Sequence, residues 1–226
     1  MAWYRCGQSG GSQPVPVPAE NFIYNIGATA FNTGHIHTAN TKVVFKAILA
    51  DDTAVDTWYG QAFGTRNGSF SANAFGLFCR FMTNRKYCFY RTGWEAQGDP
   101  VGTAGSSSSP FSKKVCIFTA EGNSVSWYPV DSPSTVHSIG ASGTIDGGIA
   151  PLAIFCTNNS NQANGFSAGD YGMMRLYWFE IYESDVLVHR FIPAYNNNQY
   201  CLYDEVEETY IYDVANNGLR LLGVVN

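Results

Sequence analysis

The sequence predicts an all-β chain, a two-sheet antiparallel β-sandwich of jelly-roll type with an extended N-terminal arm. Three observations carry this. Period-two alternation of apolar and polar residues runs almost unbroken from Phe22 onward, polar turn signals punctuate it, and no stretch of ten or more residues shows helical period with caps. The 226 residues suit one generous sandwich, and 45% hydrophobic residues, with aromatics at 15%, supply a sizeable core. The organisation read from this is an arm over residues 1–20 and a sandwich over 21–226.

The arm opens with Trp3 and Tyr4, continues through GQSGGSQ and ends in PVPVPAE. Pro14, Pro16 and Pro18 impose an extended polyproline-like course that cannot pair as a central strand. Two readings of it stand side by side: a tail, or an arm docking on a neighbouring subunit with Trp3 and Tyr4 as its anchor. Thr41 to Leu49 is the first clear strand, with Val43, Phe45, Ala47 and Leu49 on one face. Trp58 to Arg66, Ala74 to Met82 and Lys86 to Arg91 follow, the last two joined by a turn at Asn84. Lys113 to Ala120 and Ser124 to Val130 flank the short EGN turn of a hairpin. Pro151 to Thr157 reads as a buried strand and Asn158 to Asp170 as a long polar loop. In the last quarter, Tyr177, Phe179 and Ile181 alternate toward the core, while Leu176, Trp178, Glu180 and Tyr182 form a mixed face. That face is too greasy for solvent, so it predicts a contact with another sheet, loop or subunit through Trp178. Pro193 is expected to end its strand, and Asp204 to accept backbone amides at a turn.

Charged residues make up only 14% and the net charge is −5, so no Lys/Arg cluster exists to neutralise phosphates, and nucleic acid is excluded as a partner. A membrane partner is equally unsupported. Five of the six cysteines (Cys79, Cys88, Cys116, Cys156 and Cys201, with Cys6 apart) lie in or beside apolar runs without metal-site spacing. They read as free buried hydrophobes, with a Cys79–Cys88 bridge as the exception left open. This usage, and an N-terminus without a signal-peptide pattern, predicts assembly in a reducing cytoplasm.

Catalytic motifs fail one by one. Glu205 and Glu207 can share a strand face, but they sit in the connection of a hairpin, where a solvated face is the ordinary expectation. His35 and His37 form an i, i+2 pair without an obvious third ligand and read as a polar strand edge; His137 and His189 lack partners in sequence. Neither a nucleophile elbow nor a phosphate-cradling glycine loop is present. The expectation is no enzyme, no catalytic residue and no metal.

The C-terminal segment carries a resemblance. Leu176-Tyr177-Trp178-Phe179-Glu180-Ile181-Tyr182, the turn Glu183-Ser184-Asp185, Leu187-Val188-His189-Arg190-Phe191-Ile192-Pro193, then Leu202-Tyr203-Asp204, Val206 and Tyr210 follow one another closely. Upstream stand Thr33-Gly34, Thr41-Lys42-Val43, Phe63-Gly64-Thr65-Arg66 and Phe75-Gly76-Leu77-Phe78. In this order the chain, from about Phe22 to its end, resembles the laminin-G-like, concanavalin-A-like jelly-roll modules of tailed-phage and prophage structural proteins. The resemblance implies a non-enzymatic virion protein, a tail or head fibre, decoration or receptor-binding component. It would sit at the virion surface among other virion proteins as a homo-oligomer, with a trimer favoured. The alternative is a free bacterial carbohydrate-binding domain of lectin type. A host cell-surface glycan would meet Trp58, Tyr59 and Trp94 near loop boundaries, with Asn158 and Asn161 from the amide-rich loop; each aromatic can instead serve the core or an interface. Such modules often hold Ca²⁺ at the sandwich rim, for which Asp51, Asp52, Asp56 and Asp170 are the loop carboxylates; solvated loop residues are the other reading.

Overall fold

The computed structural model describes residues 22–24, 29–49, 59–67, 72–80, 86–98, 114–140, 142–159 and 174–214, and everything below concerns these. Trp3, Tyr4, Trp58, Asn161 and the four loop aspartates lie outside them, as does the arm.

Among the described residues there is no helix, and the strands form two facing sheets. The alternation of β3 (Thr41–Leu49) places Val43, Phe45 and Ala47 inward, fully buried, and β3 becomes a centre of the first sheet. On one side it pairs antiparallel with β8 (Cys116–Glu121), then β9 (Ser124–Pro129) and β10 (His137–Gly140). On the other it pairs with β13 (Met174–Glu183), followed by β14 (Val186–Asn196), β15 (Gln199–Asp204) and β16 (Thr209–Ile211). A short β1 (Ile23–Tyr24) also lies along β13.

The second sheet runs β2 (Phe31–Asn32), β11 (Ala153–Ile154), β4 (Tyr59–Arg66), β5 (Phe75–Arg80), β6 (Lys86–Arg91) and β7 (Trp94–Gly98). Pairing is antiparallel throughout except for β12 (Asn158–Asn159), which lies parallel to β4. The sheets meet through aromatic rings. Phe63 of the second sheet stands edge-on to Phe45 at 5.9 Å and to Phe179 at 5.6 Å, and Phe45 stacks on Phe118 at 4.9 Å within the first.

Three local expectations are corrected. The predicted core triplet assumed unbroken alternation, but the register between β13 and β3 shifts between Leu176 and Trp178. This bulge spends one extra residue, so Leu176 turns inward at 0% exposure while Tyr177 faces out beside the Lys46 ammonium. Trp178 is half-buried on the outer face, as the mixed pattern suggested. Pro193 does not end its strand: β14 continues to Asn196, with Pro193 opposite Leu202. The run Pro151 to Thr157 yields only two strand residues, because Phe155 takes a positive φ of 70° and turns the chain out of the ladder.

The hairpin turns agree with their sequences. Ser184 and Asp185, both at positive φ, make the tight β13–β14 turn, and Gly122 at φ 52° serves the β8–β9 turn. Cys116, Cys156 and Cys201 are buried thiols, and burial pushes the Cys116 thiol up to about 11. In the β5–β6 ladder Cys79 is opposite Tyr87 and Cys88 opposite Phe78, so the two cysteines are not register partners.

Candidate acid–base site

Two carboxylate–imidazole pairs meet at one end of the sandwich, where the chain leaving β2 crosses the turn between β13 and β14. The crossing segment is fixed by backbone. Thr33 N and Oγ1 both donate to the Leu152 carbonyl, at 3.1 and 2.8 Å, and Leu152 N donates to the His35 carbonyl at 2.8 Å. Gly34, at φ 76°, donates to Asn32 Oδ1 at 2.9 Å and turns the chain so that His35 reaches the end of β13.

Glu183 is the last residue of β13 and shares the parity of the buried Phe179 and Ile181, which aims it toward the sandwich interior at the strand end. One of its oxygens accepts from His35 Nε2 at 2.9 Å and from the Thr41 hydroxyl; the other accepts from Thr38 Oγ1 at 2.6 Å. Burial works to raise the Glu183 pKa, but the hydrogen bonds from Thr38, Thr41 and His35 outweigh it and hold the carboxyl below its ordinary value.

His189, on β14, faces inward opposite Ile181 and stacks on Phe191 at 5.5 Å. Its Nδ1 lies 2.6 Å from Asp204 Oδ2, while Asp204 Oδ1 accepts the Arg190 and Val206 amides at 3.0 and 3.1 Å. Burial again pushes up, and again the donors win: the hydrogen bonds from His189, Arg190 and Val206 keep Asp204 below the usual aspartate value.

The two imidazoles stand edge to face, centroids 5.4 Å apart. A carboxylate can only accept, so His35 presents its hydrogen on Nε2 to Glu183 and His189 presents its own on Nδ1 to Asp204. His35 Nδ1 and His189 Nε2 are then the nitrogens left to exchange protons with a third molecule. Burial lowers the His35 pKa, and the nearby His189 adds to that, against the opposing pull of Glu183. The His35 side chain is 12% exposed and that of His189 17%, enough for contact with solvent at the rim. Exposed apolar residues border the cluster: Ile36 follows His35, Val186 pairs with Glu183, and Leu187 pairs with Tyr182.

Asp204 binds backbone amides as anticipated, but its bond to His189 is new. The idea of His35 and His37 as a polar strand edge is corrected. Both lie in the irregular segment after β2, and Gly34 N→Asn32 and the carbonyl contacts to the 148–152 segment replace a ladder there; His35 joins Glu183 and His37 is fully buried. Nothing in one-dimensional spacing links residues 148 positions apart, so the partnership of His35 with Glu183 had no sequence signal. His189 and Asp204 flank a hairpin, and two polar residues on otherwise inward-facing positions were the available clue. Glu205 is ion-paired with Arg190 at 3.2 Å and Glu207 is exposed, away from any cluster. Of the glycan-site residues, Asn158 is buried at 6% exposure and donates to the Pro151 carbonyl at 2.9 Å; Tyr59 lies on β4 and Trp94 on β7, a separate sheet from the acid–base cluster. Among the described residues no group of three or more His, Cys, Asp and Glu could hold a metal ion.

No family model matches the chain, and no curated protein matches it. Among solved structures, that of a Scytalido-glutamic peptidase with a peptide-based transition state analog is similar at 13% identity and a TM-score of 0.32, covering 85% of this chain and 95% of that one. A second structure of this peptidase, with a transition state analog inhibitor, is similar at 12% identity and a TM-score of 0.33, covering 79% and 92%. This corrects the expectation of a non-enzymatic virion component, with its lectin alternative, and the expectation that the chain is no enzyme: both of these structures are of a peptidase, not of a phage module. At these identities and TM-scores the likeness transfers neither activity nor substrate to this chain.

Proposed function

We propose that the chain is a hydrolytic acid–base catalyst in which His35 and His189 move the protons. The observation that supports this is the pair of facing imidazoles, each bound through one nitrogen to its own carboxylate. A carboxylate partner fixes ring orientation and tautomer, so the opposite nitrogen is poised for transfer. His35, kept neutral by burial, takes a proton from water through Nδ1. The hydroxide oxygen bonds to an acyl carbon, the bond to the leaving group breaks, and His189 gives that group a proton from Nε2. The exposed Ile36, Val186 and Leu187 border the pair and favour substrates with an apolar acyl portion. The laminin-G-like resemblance stays within the proposal as a lineage for the scaffold, supported by the two-sheet antiparallel sandwich.

The test is hydrolysis of a panel of chromogenic esters and amides bearing apolar acyl groups. Turnover should fall at least ~100-fold in His35→Gln and in His189→Gln, consistent with loss of a general acid or base. Circular dichroism should report an intact β fold in both. Wild-type protein without turnover, or variants that keep it, would overturn the reading.

A further inference from the structure

A second histidine lies under the opposite flank of the crossing segment, in surroundings that the acid–base site does not use. Arg91, the last residue of β6, pairs with Phe75 in the β5–β6 register, and its guanidinium carbon sits 3.7 Å from the centroid of that ring. It is completely buried. Its Nε donates to the Gly122 carbonyl at 2.6 Å, but Nη1 and Nη2 have no hydrogen-bond partner. His37, at 1% exposure, packs on the same Phe75 ring at 5.4 Å, and neither of its ring nitrogens has a partner either. Asp146 acts on the ring through its charge and through a backbone contact, but that contact falls short of full hydrogen-bond geometry at either nitrogen.

Four unsatisfied polar atoms on two buried side chains are costly, and an uncompensated guanidinium is the larger part of that cost. Among the described residues no carboxylate lies within ion-pair distance of Arg91. The nearest candidate, Asp146, has Oδ1 on the Thr92 hydroxyl at 2.6 Å and Oδ2 on the Asn73 amide at 3.2 Å. Burial and the Asp146 charge act in opposite directions on Arg91, burial prevailing, and its pKa of about 10 still leaves it cationic at neutral pH.

The cover is built to close tightly. The segment from Gly143 to Gly148 is tied down by Asn123 Nδ2 on the Gly143 carbonyl (2.9 Å), Thr144 N on the Thr92 carbonyl (3.0 Å), Asn73 Nδ2 on the Gly147 carbonyl (2.7 Å) and Gly148 N on the His37 carbonyl (2.7 Å). A β-carbon at Gly148 would stand 2.5 Å from His37 Nδ1, so glycine is what lets the cover lie flat over the ring.

We propose that Arg91 and His37 bind a small monovalent anion, a halide or a simple carboxylate, enclosed beneath the 143–148 cover. Arg91 supplies charge and two N–H groups; neutral His37 supplies one N–H. Full burial of both side chains restricts the ligand to a few atoms. This site is separate from the acid–base pair, and its fate does not depend on that reading.

Thermal unfolding at constant ionic strength tests it, with sodium gluconate replaced stepwise by sodium chloride or, separately, sodium formate. The midpoint should climb with the logarithm of small-anion concentration, as ligand linkage requires. A response to chloride identifies a halide site, and a response confined to formate identifies a carboxylate site. Crystals soaked in bromide should show an anomalous peak within hydrogen-bond reach of Arg91 Nη1 or Nη2. Arg91→Met should remove the response; should that variant not fold, the wild-type titration and the bromide peak still decide. A midpoint equally indifferent to chloride and formate, with no bromide peak, would mean water completes the site and would overturn the proposal.

Discussion

His189 Nδ1 and Asp204 Oδ2 lie 2.6 Å apart, and the same carboxylate takes the amides of Arg190 and Val206, so one side chain links a ring, a strand and a turn. Asp204 is 2% exposed, so no water can replace a lost partner cheaply.

Asp204→Asn should therefore lower stability by about 1.5–3 kcal/mol, the range for hydrogen bonds to charged groups. Because folding depresses the Asp204 pKa below its ordinary 3.8, the stabilisation is present above that value and is lost as pH falls through the folded pKa. Urea unfolding near neutrality should separate wild type from variant, and the gap should narrow as the pH is taken below 3.8. A gap that persists undiminished in acid would show that the charge is not responsible.

His37, two residues after His35 in the crossing segment, adds a second acid sensitivity. Burial, aided by Arg91 and His35 and opposed by Asp146, lowers its pKa from 6.5 to about 4. A histidine whose folded pKa is depressed contributes stability that is present above 6.5 and declines as pH drops toward 4, because the unfolded chain takes up the proton first. The shift corresponds to about 3 kcal/mol across that interval. Denaturant midpoints measured across it should fall for wild type and fall less steeply for His37→Phe, which has nothing to titrate there.

Much of this architecture is legible in the chain because β-strands advertise themselves by parity. Val43, Phe45 and Ala47 declare one face, and the EGN and Glu183-Ser184-Asp185 turns declare their hairpins. Parity fails where one residue is inserted, as at Tyr177, or where the backbone turns left-handed, as at Phe155. The acid–base pairs were invisible for another reason. His35 reaches Glu183 only because β2 and β13 end at the same side of the sandwich, a property of topology that no local window contains.

Phe45 touches rings from both sheets: Phe118 and Phe179 in its own, Phe63 across the interface. Phe45→Ala should cost about 3–5 kcal/mol, with the cavity contributing alongside the lost transfer energy. Equilibrium unfolding with an unchanged m-value would confirm a stability effect without a change in compactness.

Gly64 and Gly76 are cross-strand partners, both against Tyr90. A β-carbon at Gly64 would meet the Tyr90 hydroxyl oxygen at 1.9 Å; one at Gly76 would meet it at 2.2 Å and also the Phe63 carbonyl at 2.6 Å. Gly64→Ala should destabilise by about 1–3 kcal/mol, and Tyr90→Phe should recover part of that loss in the double variant. Gly76→Ala should not be rescued in the same way, since the backbone carbonyl stays in place. Equal rescue at both positions would show that the hydroxyl alone sets the spacing.

The placement of β3 between β8 and β13 has a consequence for synthesis. Thr41 pairs with a residue 142 positions later, so a chain emerging from the ribosome can fill one side of β3 long before the other. Until Met174 to Glu183 arrives, β3 carries an open hydrogen-bonding edge with buried-type residues along it, the kind of edge that recruits other chains. A chain truncated anywhere before β13 should therefore aggregate where the full chain does not, which pelleting of the two after equal expression would check.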